Sequence, residues 1–143
     1  MDLTLRIKLN TVKSAKNING IHMLFIDDDS NLLHAAKRLL KGRGYIVTFA
    51  NGSSEAIALI KKTPDKFDVI VSDYSMPCMN GVELALEIGR ILAGTPVILL
   101  TGTIDALNEK QIAEAGIAGV IKKPCKIEEL DSKIRQVINK NNR

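Results

Sequence analysis

The sequence predicts an α/β domain: a doubly wound (βα)5 sandwich, with an open parallel sheet between two layers of helices. Three observations predict it. Strand-like and helix-like segments alternate five times from about residue 21 onward. Several of the strand-like runs are apolar throughout rather than at every second position, as strands covered on both faces are. Gly, Pro, Asn and Asp cluster between the segments, where turns are needed.

The elements follow in order. "HMLFI" (22–26) reads as a buried strand, and a helix follows from Ser30 with Leu32, Ala36, Leu39 and Leu40 on one face. "GRGY" is a break, and "YIVTFA" (45–50) is the second strand. Ser53 or Ser54 can cap the next helix, which carries Ala56, Leu59 and Ile60 and is ended by Pro64. "FDVIVS" (67–72) is the third strand, Val82 to Leu92 the third helix and "TPVILL" (95–100) the fourth strand. A shorter helix over Ile104 to Ala115, the strand "AGVIK" (118–122) and a helix from Ile127 complete the count. In that last helix Leu130, Ile134, Val137 and Ile138 recur at helical spacing.

Composition bounds the function. With 143 residues, 45% hydrophobic and 25% charged, the chain reads as one globular domain burying about two thirds of its surface. No apolar run approaches the roughly 20 residues of a membrane span, and no signal peptide is legible; a cytoplasmic domain without membrane contact is expected. The net charge of +4 sits at the ends: residues 1–20 carry four bases and one acid, residues 21–124 eleven bases and twelve acids. A nucleic-acid surface asks for a basic face with aromatic support, and aromatics are only 3%, so no nucleic-acid partner is expected. Cys78 and Cys125 have no metal or redox spacing, and His22 and His34 form no ligand cluster.

In open parallel sheets, ligands gather beyond the carboxyl ends of the strands. There the first strand delivers Asp27, Asp28 and Asp29, the third Asp73, the fourth Thr101, and the fifth Lys123 followed by Pro124. Two like charges at about 4 Å repel by roughly 4 kcal/mol at an effective dielectric near 20, so the acids want a cation. A hard divalent cation takes oxygen ligands from one or two carboxylates plus phosphate and water. Phosphoryl transfer asks for positioning and positive charge on the equatorial oxygens, and an aspartate can be its nucleophile.

"LFIDDDSN", "VIVSDYSMPCMNGVEL", "VILLTG" and "VIKKP" resemble the signature segments of the receiver domain of two-component response regulators, in the same order and over about residues 21–140. The resemblance implies a flavodoxin-like five-stranded parallel sheet of order 2-1-3-4-5, with Asp73 as phosphoacceptor, Thr101 as switch hydroxyl and Lys123 as phosphate-binding lysine. It implies Mg2+, for which Mn2+ can substitute, held by Asp28, Asp73 and the Ser75 backbone carbonyl, with Asp27 acting through water. Asp29 falls outside the pair, at the start of the helix, where it favours the positive end of the helix dipole. The implied donor is a phosphohistidine on a sensor histidine kinase or a histidine phosphotransfer protein. The domain would catalyse its own phosphorylation and slow dephosphorylation, with no separate substrate, as a signalling switch or relay. Two departures stand out: Val120 occupies a position usually aromatic, and Cys125 one commonly Phe, so the usual aromatic readout is not expected.

Two rivals remain. A haloacid-dehalogenase-type phosphatase also begins with D-x-D after a strand, a spacing Asp27 and Asp29 satisfy, but it leaves Asp73 unexplained and needs a further acidic motif after Lys123. A phosphate-independent docking module would not need the acids, Thr101 and Lys123. Residues 1–20 stand apart from the receiver-like body, 21–143: "LTLRIKL" alternates as an amphipathic strand and a polar linker follows. It reads as a floppy arm, a final strand of an upstream domain such as a hybrid kinase would supply, or an edge strand in a dimer.

Overall fold

A computed structural model describes residues 20–103 and 107–141. All strand pairing in it is parallel. β1 (His22–Asp27) lies between β2 (Ile46–Asn51) and β3 (Val69–Asp73); β4 (Val97–Thr101) pairs with β3, and β5 (Ile117–Lys122) closes the far edge. The order β2-β1-β3-β4-β5 is the expected doubly wound one. It reverses direction between β1 and β3, so the ends of those two strands flank the switch point. Four helices connect the strands, α1 (Ser30–Lys41), α2 (Ser53–Lys62), α3 (Gly81–Ile91) and α4 (Glu109–Glu114), and α5 (Ile127–Asn141) follows β5.

Side chains alternate across each strand, and here both faces are apolar. Met23, Phe25, Val69, Val71, Ile98 and Leu100 pack on one side with Leu33, Leu40, Leu130 and Ile134 of α1 and α5. Leu24, Ile26, Ile70 and Leu99 pack on the other with Ala56, Ile60, Leu84 and Ile88 of α2 and α3. Each fully buried Leu or Ile contributes about 2 kcal/mol of transfer free energy. β3 and β4 are buried at every position, whereas the edge strands β2 and β5 are half open.

Local chemistry moved several element boundaries from their expected places. The third strand begins at Val69, two residues late, but Asp68 N–H already bonds His22 O at 2.8 Å. α4 begins only at Glu109, because the Asn108 side chain accepts from Gln111 N–H and stops the helix there. Residues 104–106 of the expected longer helix lie outside the described residues. No serine caps α2: Gly52 is the N-cap and Ser53 is a buried first-turn residue. The stripe of α1 that enters the core is Leu33, Ala36 and Leu40. Leu32 and Leu39 instead face outward, 37% and 56% exposed, and line an apolar groove of about 550 Å³ with Pro124, Cys125 and Ile127. The strand expected in residues 1–20 also lies outside the described residues. Among those described, no helix is long and apolar enough to cross a membrane.

One buried charge ties the base of the fold together. Asp131 on α5, 4% exposed, accepts from the Tyr45 hydroxyl, from Arg43 Nη1 at 3.1 Å and from Arg135 Nη2 at 3.4 Å. Burial and then the Asp131 hydrogen bond push the Tyr45 phenol well above its usual range, so it stays a donor. Removing the shared acceptor strands a buried hydroxyl. Asp131→Ala should therefore lower the unfolding free energy by about 2 kcal/mol in urea denaturation. Tyr45→Phe, which leaves the carboxylate with both arginines, should cost about half as much or less.

Candidate functional site

At the carboxyl end of β1 the three consecutive acids have three different environments. Asp27 is buried; its Oδ1 accepts from Asp29 N–H at 2.9 Å, while its Oδ2 is buried without a hydrogen-bond partner. Asp28 is exposed. Asp29 caps α1, its Oδ1 accepting from Asn31 N–H at 3.0 Å and Leu32 N–H at 3.4 Å. That use commits the Asp29 carboxylate to the helix terminus and removes it from the D-x-D pairing with Asp27 that a phosphatase of the rival type requires.

Asp73, 7% exposed at the end of β3, completes the acidic group: carboxylate oxygens of Asp27, Asp28 and Asp73 lie within 4.8 Å of one another. Lys123, just beyond β5, reaches across them. Its Nζ donates to Asp73 Oδ1 at 2.8 Å and lies 3.9 Å from Asp27 Oδ2. One ammonium against three carboxylates leaves an excess of negative charge. Burial raises the Asp27 carboxyl above its usual range, and the charges of Asp73 and Asp28 add to this against the Asp29 amide and Lys123. Burial alone would lower Lys123, but the Asp73 hydrogen bond and the nearby acids raise it overall, so it stays protonated. A buried oxygen that makes no hydrogen bond, within an acidic cluster, suits a hard cation, so the donor set fits a divalent ion of the Mg2+ type.

Thr101 ends β4 and is 1% exposed; its Oγ1 accepts from Thr103 N–H at 3.1 Å. Lys123 is held to the same strand end, its N–H donating to Thr101 O at 2.8 Å. Ser75 is exposed in the loop after β3. Thus Asp27, Asp28, Asp73 and Lys123 are brought together as expected, with Thr101 and Ser75 on adjoining strand-end segments.

The loop that follows Asp73 is fixed from both sides. Tyr74 N–H donates to Leu100 O and Gly81 N–H to Tyr74 O, both at 2.8 Å. Asn80 caps α3 in a reciprocal box with Glu83. Gly81 then lies so close to the end of β3 that a Cβ would sit 2.8 Å from Asp73 O, 2.9 Å from Tyr74 Cα and 2.7 Å from Leu99 Cδ2. The Asn-Gly pair of the "SMPCMNG" segment is therefore a helix cap followed by a close contact that a Cβ would break. The Thr103 amide on Thr101 was missed from sequence, although the T-x-T spacing was its signal. Val120 is partly buried on the face of α3 and α4, beside the cluster that also receives Leu107 and Ile112.

A doubly wound sheet with an acidic, lysine-bridged pocket at its switch point defines a small class of flavodoxin-like domains. The chain belongs to the response regulator receiver domain family, whose model matches residues 23–135. It is 33% identical over 121 residues to the two-component response regulator ARR10 of Arabidopsis thaliana, covering 85% of this chain but 22% of that protein. The chain thus spans about a fifth of the length of this relative and of the similar regulator ARR12 from the same plant. A response regulator receiver domain protein from Clostridium thermocellum superposes with a TM-score of 0.79 at 30% identity, covering 85% of this chain and 97% of that one. A CheY-like receiver domain protein from Methanospirillum hungatei gives 0.78 at 28%, covering 85% and 96%.

Two glycines of α3 offer a test of the packing on Asp73. Gly81→Ala should destabilise by about 1–3 kcal/mol, since backbone must move. Gly89→Ala, where a Cβ meets nothing within 4 Å, should stabilise by about 0.5–1 kcal/mol. Urea denaturation of the two variants should show opposite signs.

Proposed function

We propose that this domain accepts a phosphoryl group from a phosphohistidine onto Asp73, in a divalent-cation-dependent reaction, and acts as a signalling switch or relay. The observation that carries the reading is the Lys123 ammonium bound to Asp73 Oδ1 at 2.8 Å, beside an Asp27 Oδ2 that is buried without a hydrogen bond. The membership of the receiver family and the names of its relatives, two-component response regulators, support it.

In the transfer, a carboxylate oxygen of Asp73 attacks phosphorus. The P–N bond to the histidine breaks as the P–O bond forms, and the imidazole nitrogen takes the electron pair. The transition state is loose, so the work lies in placing charge rather than in proton transfer. Lys123 moves from the carboxylate to a phosphoryl oxygen. Thr101 Oγ1 accepts from the Thr103 amide and lies 3.5 Å from Thr103 Oγ1; turning its proton from that hydroxyl to another phosphoryl oxygen would engage it with the phosphate. Asp27, Asp28, Asp73 and the Ser75 carbonyl would hold Mg2+ or Mn2+, Asp27 through water. The ion would supply positive charge to the carboxylates and phosphoryl oxygens. The partner is then a sensor histidine kinase or a histidine phosphotransfer protein, in the cytoplasm. The domain turns over no separate substrate. Side-chain phosphates add about −1.5 to −2 charges, which here would bear on Lys123, Thr101 and the loops they hold. With Val120 at the fifth strand, the aromatic ring usual at that position is not there to relay that change.

Acetyl phosphate with Mg2+ should add one phosphoryl group per chain, seen by intact mass. Asp73→Asn should abolish the addition, and chelating the metal should slow it by about a hundredfold or more. Undiminished labelling of Asp73→Asn would overturn the acceptor assignment.

A further inference from the structure

A second concavity adjoins the acidic site. The groove of about 550 Å³ beside α1 is bounded by Leu32 and Leu39 on that helix and by Pro124, Cys125 and Ile127 after β5. It reaches the buried Phe25, Leu100 and Leu130, so its inner surface is the edge of the core itself. Apolar surface left open to water is unfavourable, and a contiguous patch of it marks a place where something binds. A concave, mostly apolar site of about 300–1,000 Å³ with a few polar groups is the usual form of a small-molecule pocket. Burial and the charge of Glu129 raise the Cys125 thiol, so it stays protonated and belongs to the apolar lining.

The charges select the occupant. Among the described residues that line the groove only Lys123 and Lys126 are charged, and both are cations. Lys123 Nζ is committed to Asp73 and lies beside Asp27. Lys126 is exposed, and its ammonium makes no ion pair among the described residues. The acids of the first turn of α5 lie outside the lining and are engaged elsewhere. Glu128 Oε1 accepts from Arg43 Nη2, and Glu129 Oε1 from the Lys126 amide, both at 3.3 Å. A neutral hydrocarbon would leave the Lys126 ammonium unused, and a cationic amphiphile would meet two like charges. We propose that the groove binds a small amphipathic anion, its apolar part against Leu39 and Cys125 and its carboxylate at the Lys126 ammonium. Pro124 and Cys125 follow Lys123 directly, so such a ligand touches the segment that places the ammonium of the acidic site. Binding of this kind needs no phosphoryl transfer and stands apart from it.

Decanoate titrated into the full, unphosphorylated chain and followed by amide chemical shifts tests this. Saturable shifts should fall on residues 32–40 and 123–130, with one site per chain and a monomer mass by light scattering. Cys125→Phe, which fills the groove, should weaken binding at least about tenfold, and Lys126→Gln about two- to fivefold. Decyltrimethylammonium, the same chain with a cationic head, should bind at least about fivefold more weakly than decanoate. Equal affinity for the two heads, unchanged affinity in both variants, or shifts scattered over the surface would overturn the proposal. Concentration-dependent shifts at these residues with a dimer mass and no decanoate site would also overturn it, making a second copy the occupant. The same holds if a phosphohistidine donor protein shifts these residues and decanoate does not.

Discussion

Three carboxylates held within 4.8 Å of one another against one ammonium are the constraint on which the rest of the structure depends. Such a group repels itself by several kcal/mol at protein dielectrics, and it persists only because rigid elements impose it. Asp27 is fixed by β1 and by the Asp29 amide, and Asp73 by β3, which is buried at every position. Lys123 is pinned through its own amide to the end of β4. The switch point of a 2-1-3-4-5 sheet is what sets the ends of β1 and β3 side by side, so the topology itself creates the crowding. A site of this kind is poised for positive charge and for an anion that brings its own cation.

Around that crowding the other features act as supports. The Asn80–Glu83 cap and the close approach of Gly81 seat α3 directly on the Asp73–Tyr74 backbone. Asp29 turns the chain from the first acid into α1. At the opposite end, Asp131 gathers Tyr45, Arg43 and Arg135 and locks α5 to the turn before β2. The two ends are thus held by different physics: the base by a satisfied buried carboxylate, the top by carboxylates left partly unsatisfied.

Much of this was legible in the sequence. Apolar runs without alternation gave the central strands, and residues at the strand ends gave the pocket, because strand direction alone fixes where those ends lie. The division of labour within Asp27, Asp28 and Asp29 was also readable, since the last acid before a helix is a natural cap. Three-dimensional placement hid the rest. Leu32 and Leu39 fit a helical apolar stripe as well as Leu33 does, and only the position of α5 decides which leucines enter the core. Asn108 as the start of α4 was a local signal passed over in favour of an apolar count. The 2.8 Å distance from a Gly81 Cβ to Asp73 O has no sequence signature beyond the Asn-Gly pair itself. Nor does any spacing announce that Tyr45 and Asp131 meet across the fold.

The central claim is that Asp73 takes a phosphoryl group from histidine. Its most direct test is transfer from a purified phosphohistidine donor, followed by borohydride reduction of the acyl phosphate and peptide sequencing by mass spectrometry. The account predicts conversion of one residue, at position 73, to the reduced product, with loss of label from the donor in equal amount. Reduced product at Asp27 or Asp28 instead, or donor label lost to water while Asp73 stays unmodified, would contradict it.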